Sequence, residues 1–343
     1  MNALVTGASG FIGSAVVRAL LGRGYAVRAL VEPGAHRRNL EGLDIDIDIV
    51  EADIRDRAAI ARAMQGADTL FHLAAIYRLW LPRPRVMYEV NVEGTRTVLF
   101  AALRAQLQRV VHTSSIAAIG RRSDGAPADE SPEFAEWRHS SDYVRSKWLS
   151  ERMALAFADE GLPVVVVNPS FPFGEGDTAP TPTGRFIVEA LRGRIPGYSP
   201  GGFNAIAVDD VAEGHVLAAE RGRVGERYIL GDHDISYRDF YRVVTDVAGL
   251  RPITRPLPAP VIRGIAWFAE RYARYTHEMP YVTREAAEYS LQRHFYDASK
   301  ARRELGLPST PLRQTVERAV AWYRQNGYDA AGALDGIRAG GVR

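Results

Sequence analysis

Through the first half of the chain, short apolar runs alternate with stretches whose apolar positions recur at helical spacing. The runs cover residues 3–5, 27–31, 47–50, 69–73, 110–113 and 164–167. Between them, Ile12, Val16, Ala19 and Leu20, then Ile60 and Met64, then Val98, Ala101 and Ala102 mark the apolar faces of successive helices. Strands alternating with helices predict βαβ units and so an α/β chain with a Rossmann-type doubly wound parallel sheet. The run 164–167 is four valines without polar alternation, as a strand buried on both faces requires.

The texture changes after Pro169. Residues 169–204 are rich in Pro and Gly, 205–232 return to a strand–helix–strand pattern, and 236–326 read as mainly helical, broken by the proline-rich stretch 252–260. This predicts a dinucleotide-binding domain over 1–168, rejoined by 205–232. A smaller, mainly helical substrate domain takes 169–204 and 233–328, and 329–343 form an Ala/Gly-rich tail.

Composition narrows the chemistry. The 343 residues contain no cysteine, which excludes disulfides, thiolate metal sites and cysteine nucleophiles, and no metal site is expected. A net charge of +2 without a basic block gives no nucleic-acid signal. No apolar run approaches the roughly 18 residues of a membrane span, and no signal peptide precedes the first strand, so a cytoplasmic protein is expected. Nearly every basic residue is Arg, the exceptions being Lys147 and Lys300. Lys in an Arg-writing sequence points to a site that needs a compact ammonium.

The segment Val5-Thr-Gly7-Ala-Ser-Gly10-Phe-Ile-Gly13 follows a strand and opens a helix. Gly7 permits the tight turn, Gly10 admits a pyrophosphate close to the backbone, and Gly13 lets the helix pack on the sheet. Ser9, Phe11 and Ile12 of the same loop are candidate dinucleotide contacts, as are Asp53 and Ile54 after the third run. Asp53 suits the adenine amino group, or a helix N-cap. Small residues at Leu73, Ala74 and Ala75 let another strand end pass the cofactor. At the end of the second strand, Glu32 favours NAD by chelating ribose hydroxyls, whereas Arg37 and Arg38 are placed to attract the phosphate of NADP. NAD is slightly favoured.

Tyr143-Val-Arg-Ser-Lys147 puts a phenol and an ammonium on one helix face. A free Tyr ionises near pH 10, and a nearby cation lowers that value. Ser114 and Ser115 close the strand that begins at Val110, at the edge where open α/β sheets bind ligands, and either can hold a substrate oxygen. Asn91 opens the following helical segment.

Thr6-Gly-x-x-Gly-x-x-Gly13, Asp53, His72-Leu-Ala-Ala75, Asn91-Val-x-Gly-Thr95, Ser114–Ser115, Tyr143-x-x-x-Lys147 and Asn168-Pro169 follow in one order. Over nearly its whole length the chain thereby resembles the extended short-chain dehydrogenase/reductase family, of the NAD-dependent epimerase/dehydratase type. The resemblance implies transfer of a hydride at a nicotinamide by a Ser115, Tyr143 and Lys147 triad, Ser115 being five residues before Gly120. It places Pro169 and Ser170 near the nicotinamide. It also implies a homodimer through the helices after Asn91 and around Tyr143, with Leu99, Leu103, Trp148 and Met153 at or near the contact. Within the family the chain is similar to the hopanoid-associated sugar epimerase group and to dihydroflavonol reductases, through Tyr77-Arg-Leu-Trp80, Pro180-Thr-Pro-Thr-Gly-Arg185, Val224-Gly-Glu-Arg-Tyr228 and the stretch 295–306. Glu32 stands where that group usually carries Arg.

Nucleotide-sugar epimerases of the family carry an Arg ahead of the Val208-Asp209-Asp210 segment; counting back, that position is Phe203 here, beside Asn204. The expected pocket lining is Tyr77, Trp80, Phe171, Phe173, Tyr198 and Phe203, with Arg78 and Arg185 supplying charge. The favoured reading is an NAD(P)-dependent oxidoreductase acting on a largely apolar alcohol or carbonyl compound. Nucleotide-sugar epimerisation or dehydration is the alternative, and a non-catalytic NAD(P)-sensing regulator is the third.

Overall fold

In the computed structural model, residues 1–43, 46–78, 81, 83–135, 137, 140–276 and 282–330 are described. They divide into two compact units: residues 1–170, 208–231 and 296–308 form the first, and 171–207, 232–295 and the chain from 309 onward form the second.

The first unit is built on a seven-stranded sheet in the order β3-β2-β1-β4-β5-β6-β9, with every pair parallel. Its strands are β1 (Asn2–Thr6), β2 (Ala26–Val31), β3 (Ile47–Glu51), β4 (Thr69–His72), β5 (Arg109–Thr113), β6 (Val164–Pro169) and β9 (Arg227–Leu230). The helices include α1 (Phe11–Gly22), α2 (Arg57–Ala63), α3 (Arg85–Tyr88), α4 (Thr95–Arg104), α5 (Asp142–Asp159), α7 (Val208–Arg221) and α11 (Ser299–Glu304). A wider, π-type turn at Glu89–Gly94 joins α3 to α4. The strand order reverses beside β1, the topological switch point where doubly wound sheets receive dinucleotides. All six residues of β6 are buried, as the valine run requires. On one face, Val98, Leu99 and Ala102 of α4 and Ala154 of α5 close a core with Leu4, Leu70, Val110, Val164 and Val166.

The second unit has a four-stranded sheet centred on β8 (Gly202–Ala207). It pairs antiparallel with β10 (His233–Ser236) and parallel with β7 (Phe171–Phe173) and β11 (Arg293–His294). The helices are α6 (Gly184–Leu191), α8 (Tyr237–Ala248), α9 (Ala259–Thr276), α10 (Arg284–Ser290) and α12 (Leu312–Gln325). Ser236 caps α8 by accepting from the Asp239 N–H, and Gly249 ends it at φ 64°. The core is aromatic, with Phe173, Phe203, Tyr237, Phe240 and Tyr323 all buried.

Four expectations are corrected. The strand before Asp209 is β8 and belongs to the second unit, so only 208–231 rejoin the first. Residues 296–308, expected in the second domain, fold with the first, where the Lys300 ammonium on α11 donates to the Arg227 carbonyl of β9. The cap of α2 is Asp56, which accepts from the N–H groups of Ala58 and Ala59; Asp53 lies a turn earlier. Leu99 is wholly buried inside the unit, so it has no surface to offer a second subunit. Residues 331–343 of the expected tail lie outside the described residues.

Asp177 is a buried carboxylate of the second unit. It accepts from the Tyr323 hydroxyl at 2.7 Å, from the Thr181 N–H at 2.9 and 3.0 Å and from the Thr181 hydroxyl at 2.9 Å. Burial outweighs these donors and pushes its pKa up from 3.8 to about 6. From about pH 4 to about pH 6 the folded chain therefore keeps a proton that the unfolded chain has released, so this group's contribution falls as pH rises and levels off above that window. The expected span is up to about 3 kcal/mol. Asp177→Asn should lose about 1–3 kcal/mol through mismatched donors, and should lose this slope. Urea denaturation of both proteins from pH 4 to 6.5 checks it; a stability difference constant with pH contradicts it.

Candidate active site

The loop between β1 and α1 is shaped by two glycines that nothing larger can replace. Gly7 has φ +69°, and a Cβ there would lie 2.8 Å from the Ala74 nitrogen. A Cβ on Gly13 would lie 2.1 Å from the Gly7 carbonyl oxygen. Gly10 differs, because its missing Cβ would meet only the Gly7 oxygen, at 3.2 Å. Gly10 caps α1 without a side-chain hydrogen bond, and no acidic residue occupies the first turn. The positive end of the helix thus faces outward from a side-chain-free loop, a fit for a pyrophosphate. Thr6 fixes the neighbouring strand end: its hydroxyl accepts from the N–H groups of Leu73 and Ala74, both at 3.2 Å, and bonds His72 Nδ1 at 2.8 Å.

Residues for the adenosine end lie around β2 and β3. Glu32 is exposed at the end of β2. Arg37 is held in an ion pair with Glu51, and Arg38 opens a short 3-10 turn whose Asn39 donates to the Ser9 carbonyl at 3.1 Å. Asp53 accepts from Arg55 through both backbone and side chain, which lowers its pKa. Ile54 is buried in the core and seated where a Cβ on Gly94 would strike it.

At the other end of the switch point, α5 brings Tyr143 and Lys147 against the end of β5. Ser115 caps the turn after β5, its Oγ accepting from the Ala117 N–H at 3.1 Å. Ser114 is also buried, and its hydroxyl has no partner among the described residues. Burial pushes Tyr143 up to about 12, and the nearby Ser115 side chain opposes that shift. The expected lowering by an adjacent ammonium is not what the geometry shows, because Lys147 Nζ donates to the Thr113 carbonyl at 2.6 Å. Tyr143 is therefore protonated near neutral pH and suited to donate a proton.

Burial lowers Lys147 to about 8, and the Glu151 carboxylate one turn further along α5 opposes that shift. Glu151 is itself fully buried. It accepts from Arg227 at 2.9 Å and from the Asn168 amide at 2.6 Å, and the same amide nitrogen donates to the Ser115 carbonyl at 2.9 Å. One buried carboxylate thus braces both the lysine and the serine. His72 and His112 lie near Lys147 and are both held neutral, first by burial and then by the lysine charge, His72 at about 3. Neither is an acid–base candidate at neutral pH.

Asn91 lies inside the π-type turn and is no helix cap: its amide accepts from the Ile76 N–H at 2.7 Å and donates to the Ile76 carbonyl and to Ser146. It fixes the strand continuation carrying Leu73, Ala74 and Ala75. Pro169 ends β6, and the Ser170 hydroxyl is buried without a partner among the described residues, as a residue awaiting a ligand amide would be. Tyr77 is exposed, with its ring centroid 5.0 Å from that of Tyr143, and Arg78 is exposed beside it. Trp80 lies outside the described residues. In the second unit, Phe171, Arg185 and Tyr198 are partly exposed, but Phe173 and Phe203 are closed into the core. Phe203 has ring centroids at 5.0 Å from Phe171 and Tyr237 and 5.1 Å from Phe240. These contacts leave Phe173 and Phe203 no face for a ligand, which corrects their assignment to the pocket lining.

Residues that the sequence reading missed are Glu151, Arg227 and the role of Asn168. The available signal was an acid four residues after Lys147, the next position on the same helix face.

Comparison with known proteins gives the family of the chain. The chain matches the family described as "NAD dependent epimerase/dehydratase family" over residues 3–231. It is 41% identical over 328 residues to the "Putative dihydroflavonol 4-reductase" of Synechocystis sp., covering 94% of this chain and 95% of that one. It is 33% identical over 329 residues to "Sterol demethylase protein B" of Methylococcus capsulatus, covering 95% and 99%. The crystal structure of gox2253 superposes with a TM-score of 0.84 at 43% identity, covering 95% of this chain and 98% of that one. The glycine loop, the parallel sheet and these similarities together place the chain in the NAD-dependent epimerase/dehydratase family, within the extended short-chain dehydrogenases/reductases.

Proposed function

We propose that this protein is a nicotinamide-dependent reductase of an apolar carbonyl compound, with Tyr143 as proton donor, Ser115 as the holder of the substrate oxygen and Lys147 as the ammonium that holds the nicotinamide ribose. A nicotinamide dinucleotide bound on the Gly7–Gly13 loop supplies the hydride equivalent. Tyr143, kept protonated by burial, gives its proton to the developing alkoxide, and Ser115 steadies that oxygen through its hydroxyl. Lys147, whose Nζ is held by the Thr113 carbonyl, would place its remaining N–H groups toward the ribose of the nicotinamide. Asn91, Leu73, Ala74, Ala75, Pro169 and Ser170 shape the bed for the cofactor.

The observation that carries the choice of substrate class is Phe203. At the position where the family's nucleotide-sugar epimerases carry a diphosphate-gripping Arg, this chain has a phenyl ring sealed in an aromatic core. Losing a guanidinium removes a charge-assisted grip on phosphate. Relatives named for a sterol and for a dihydroflavonol, neither of them a nucleotide sugar, support the same reading. Tyr77, whose ring lies 5.0 Å from that of Tyr143, and the neighbouring Arg78 are proposed as substrate contacts. A homodimer through α4 and α5, with Leu103, Trp148 and Met153 near the contact, is part of the proposal.

Tyr143→Phe should keep the fold and dinucleotide binding but lower kcat for reduction of sterol-like ketones by about 10² to 10⁴. Steady-state kinetics with either reduced dinucleotide checks this, and near wild-type turnover would overturn the assignment of the proton donor. Glu151→Gln should keep the side chain's shape and the hydrogen bond from one of its two donors, Arg227 or Asn168, because an amide has a single acceptor oxygen, and should remove the charge that opposes the lowering of Lys147. The alkaline limb of the pH–kcat/KM profile should then move to lower pH; an unmoved limb rules out this electrostatic role. For cofactor choice, NAD is favoured because Glu32 repels a 2′-phosphate while Arg37 is engaged by Glu51. Glu32→Arg should shift the ratio of NADPH to NADH affinity by about tenfold toward NADPH, read by fluorescence titration. A wild type that already binds NADPH much more tightly would show that Arg37 and Arg38 govern the choice.

A further inference from the structure

Helix α9 is packed with its small side chains inward and its large ones outward. Its buried positions are Ile262, Ala266 and Ala273, the first two packed with Ala287 against Leu257, Val282 and Leu291. Of the eleven large hydrophobic side chains exposed among the described residues, six belong to this one helix: Val261, Ile265, Trp267, Phe268, Tyr272 and Tyr275. Phe268 is 69% and Tyr275 88% exposed. Positions 261, 265, 268, 272 and 275 alternate steps of four and three and so form a single stripe. A scatter of single exposed apolar residues is ordinary, whereas a continuous aromatic stripe on one helix is a surface built to be covered.

The charge around it tells what covers it. Residues 251–276 contain five arginines and a single acid, Glu270. Glu270 is paired with Arg284, and Arg263 with Glu288. Arg251, Arg255 and Arg271 are exposed, and the Arg271 guanidinium lies 5.8 Å from the centre of the Trp267 ring. A second copy of the same face would bring these arginines against each other. An anionic lipid surface would instead take the aromatic stripe among its acyl chains and the arginines at its headgroups. This is the composition of interfacial helices, an apolar stripe carrying Phe268, Tyr272 and Tyr275 with Trp267 and Arg271 along its flank.

We propose that α9 docks this protein on an anionic lipid surface, lying in the plane of the interface with Ile265, Phe268, Tyr272 and Tyr275 inserted and Arg271 at the headgroups. The proposal stands on the helix surface and is independent of the substrate reading; the two together would place the protein where apolar compounds collect.

The test is co-sedimentation of the full chain with sucrose-loaded vesicles of phosphatidylcholine, with and without phosphatidylglycerol. The wild type should pellet with the mixed vesicles and bind the neutral ones about tenfold more weakly, and high salt should reduce the difference. Phe268→Asp/Tyr272→Asp should bind the mixed vesicles at least about tenfold more weakly with an unchanged thermal midpoint, since both side chains are exposed. Arg271→Glu should weaken binding to the mixed vesicles alone. A wild type that stays in the supernatant, or a double variant that pellets as well as the wild type, overturns the proposal. If the wild type self-associates in sedimentation without lipid and the double variant does not, the stripe belongs to a second copy of the chain and the lipid assignment falls.

Discussion

Keeping one ammonium charged inside the protein is the constraint that organises the active-site unit. Lys147 is 4% exposed, and its Nζ sits on the Thr113 carbonyl at the carboxyl end of β5. A lone buried cation would release its proton, and burial does depress this one. The counterweight is Glu151, one turn along α5, which would itself be untenable without Arg227 and the Asn168 amide. Each charge is tolerable only because the next is in place. The chain of interactions ties α5 to β5, β6 and β9, so the same contacts that hold the sheet against its helix also hold the lysine.

This coupling explains the division of labour around the phenol. Tyr143 is left protonated by burial with the Ser115 side chain nearby, while Asn168 fixes the Ser115 carbonyl from below. The histidines nearby are neutral and structural: His72 bridges Thr6 to Thr95 and so fastens the β1 and β4 ends on which the glycine loop is shaped. In the proposed reaction, acid–base work falls to the Tyr143 hydroxyl alone, with the remaining polar groups set around it.

How much of this was legible depended on sequence separation. The glycine loop, the Tyr143–Lys147 spacing and the valine run of β6 are local signals, read from a turn or a period, and the structure shows the corresponding turn, shared helix and fully buried strand. Glu151 was within reach of the same argument, but its partners are 17 and 76 residues away, and nothing local announces Asn168 or Arg227 as its support. Phe203 shows the opposite difficulty. Its position before Val208 was legible, but its burial among Phe171, Tyr237 and Phe240 depends on β8 leaving the large sheet for the small one, and a strand–helix–strand pattern does not say which sheet takes the strand. Likewise the reading of Asp53 as a cap did not fix where α2 begins, and the helix starts one turn later, behind Asp56.

The account rests on net reduction of an apolar carbonyl at a site without a diphosphate grip. The most direct measurement is product stoichiometry: incubate the protein with NADH or NADPH and a panel of apolar ketones and aldehydes, in parallel with nucleotide sugars, and quantify alcohol formed against nicotinamide oxidised. The account predicts equal amounts of alcohol and oxidised nicotinamide with an apolar carbonyl, and no conversion of nucleotide sugars. Epimerised nucleotide sugar formed with no net change in the cofactor would contradict it.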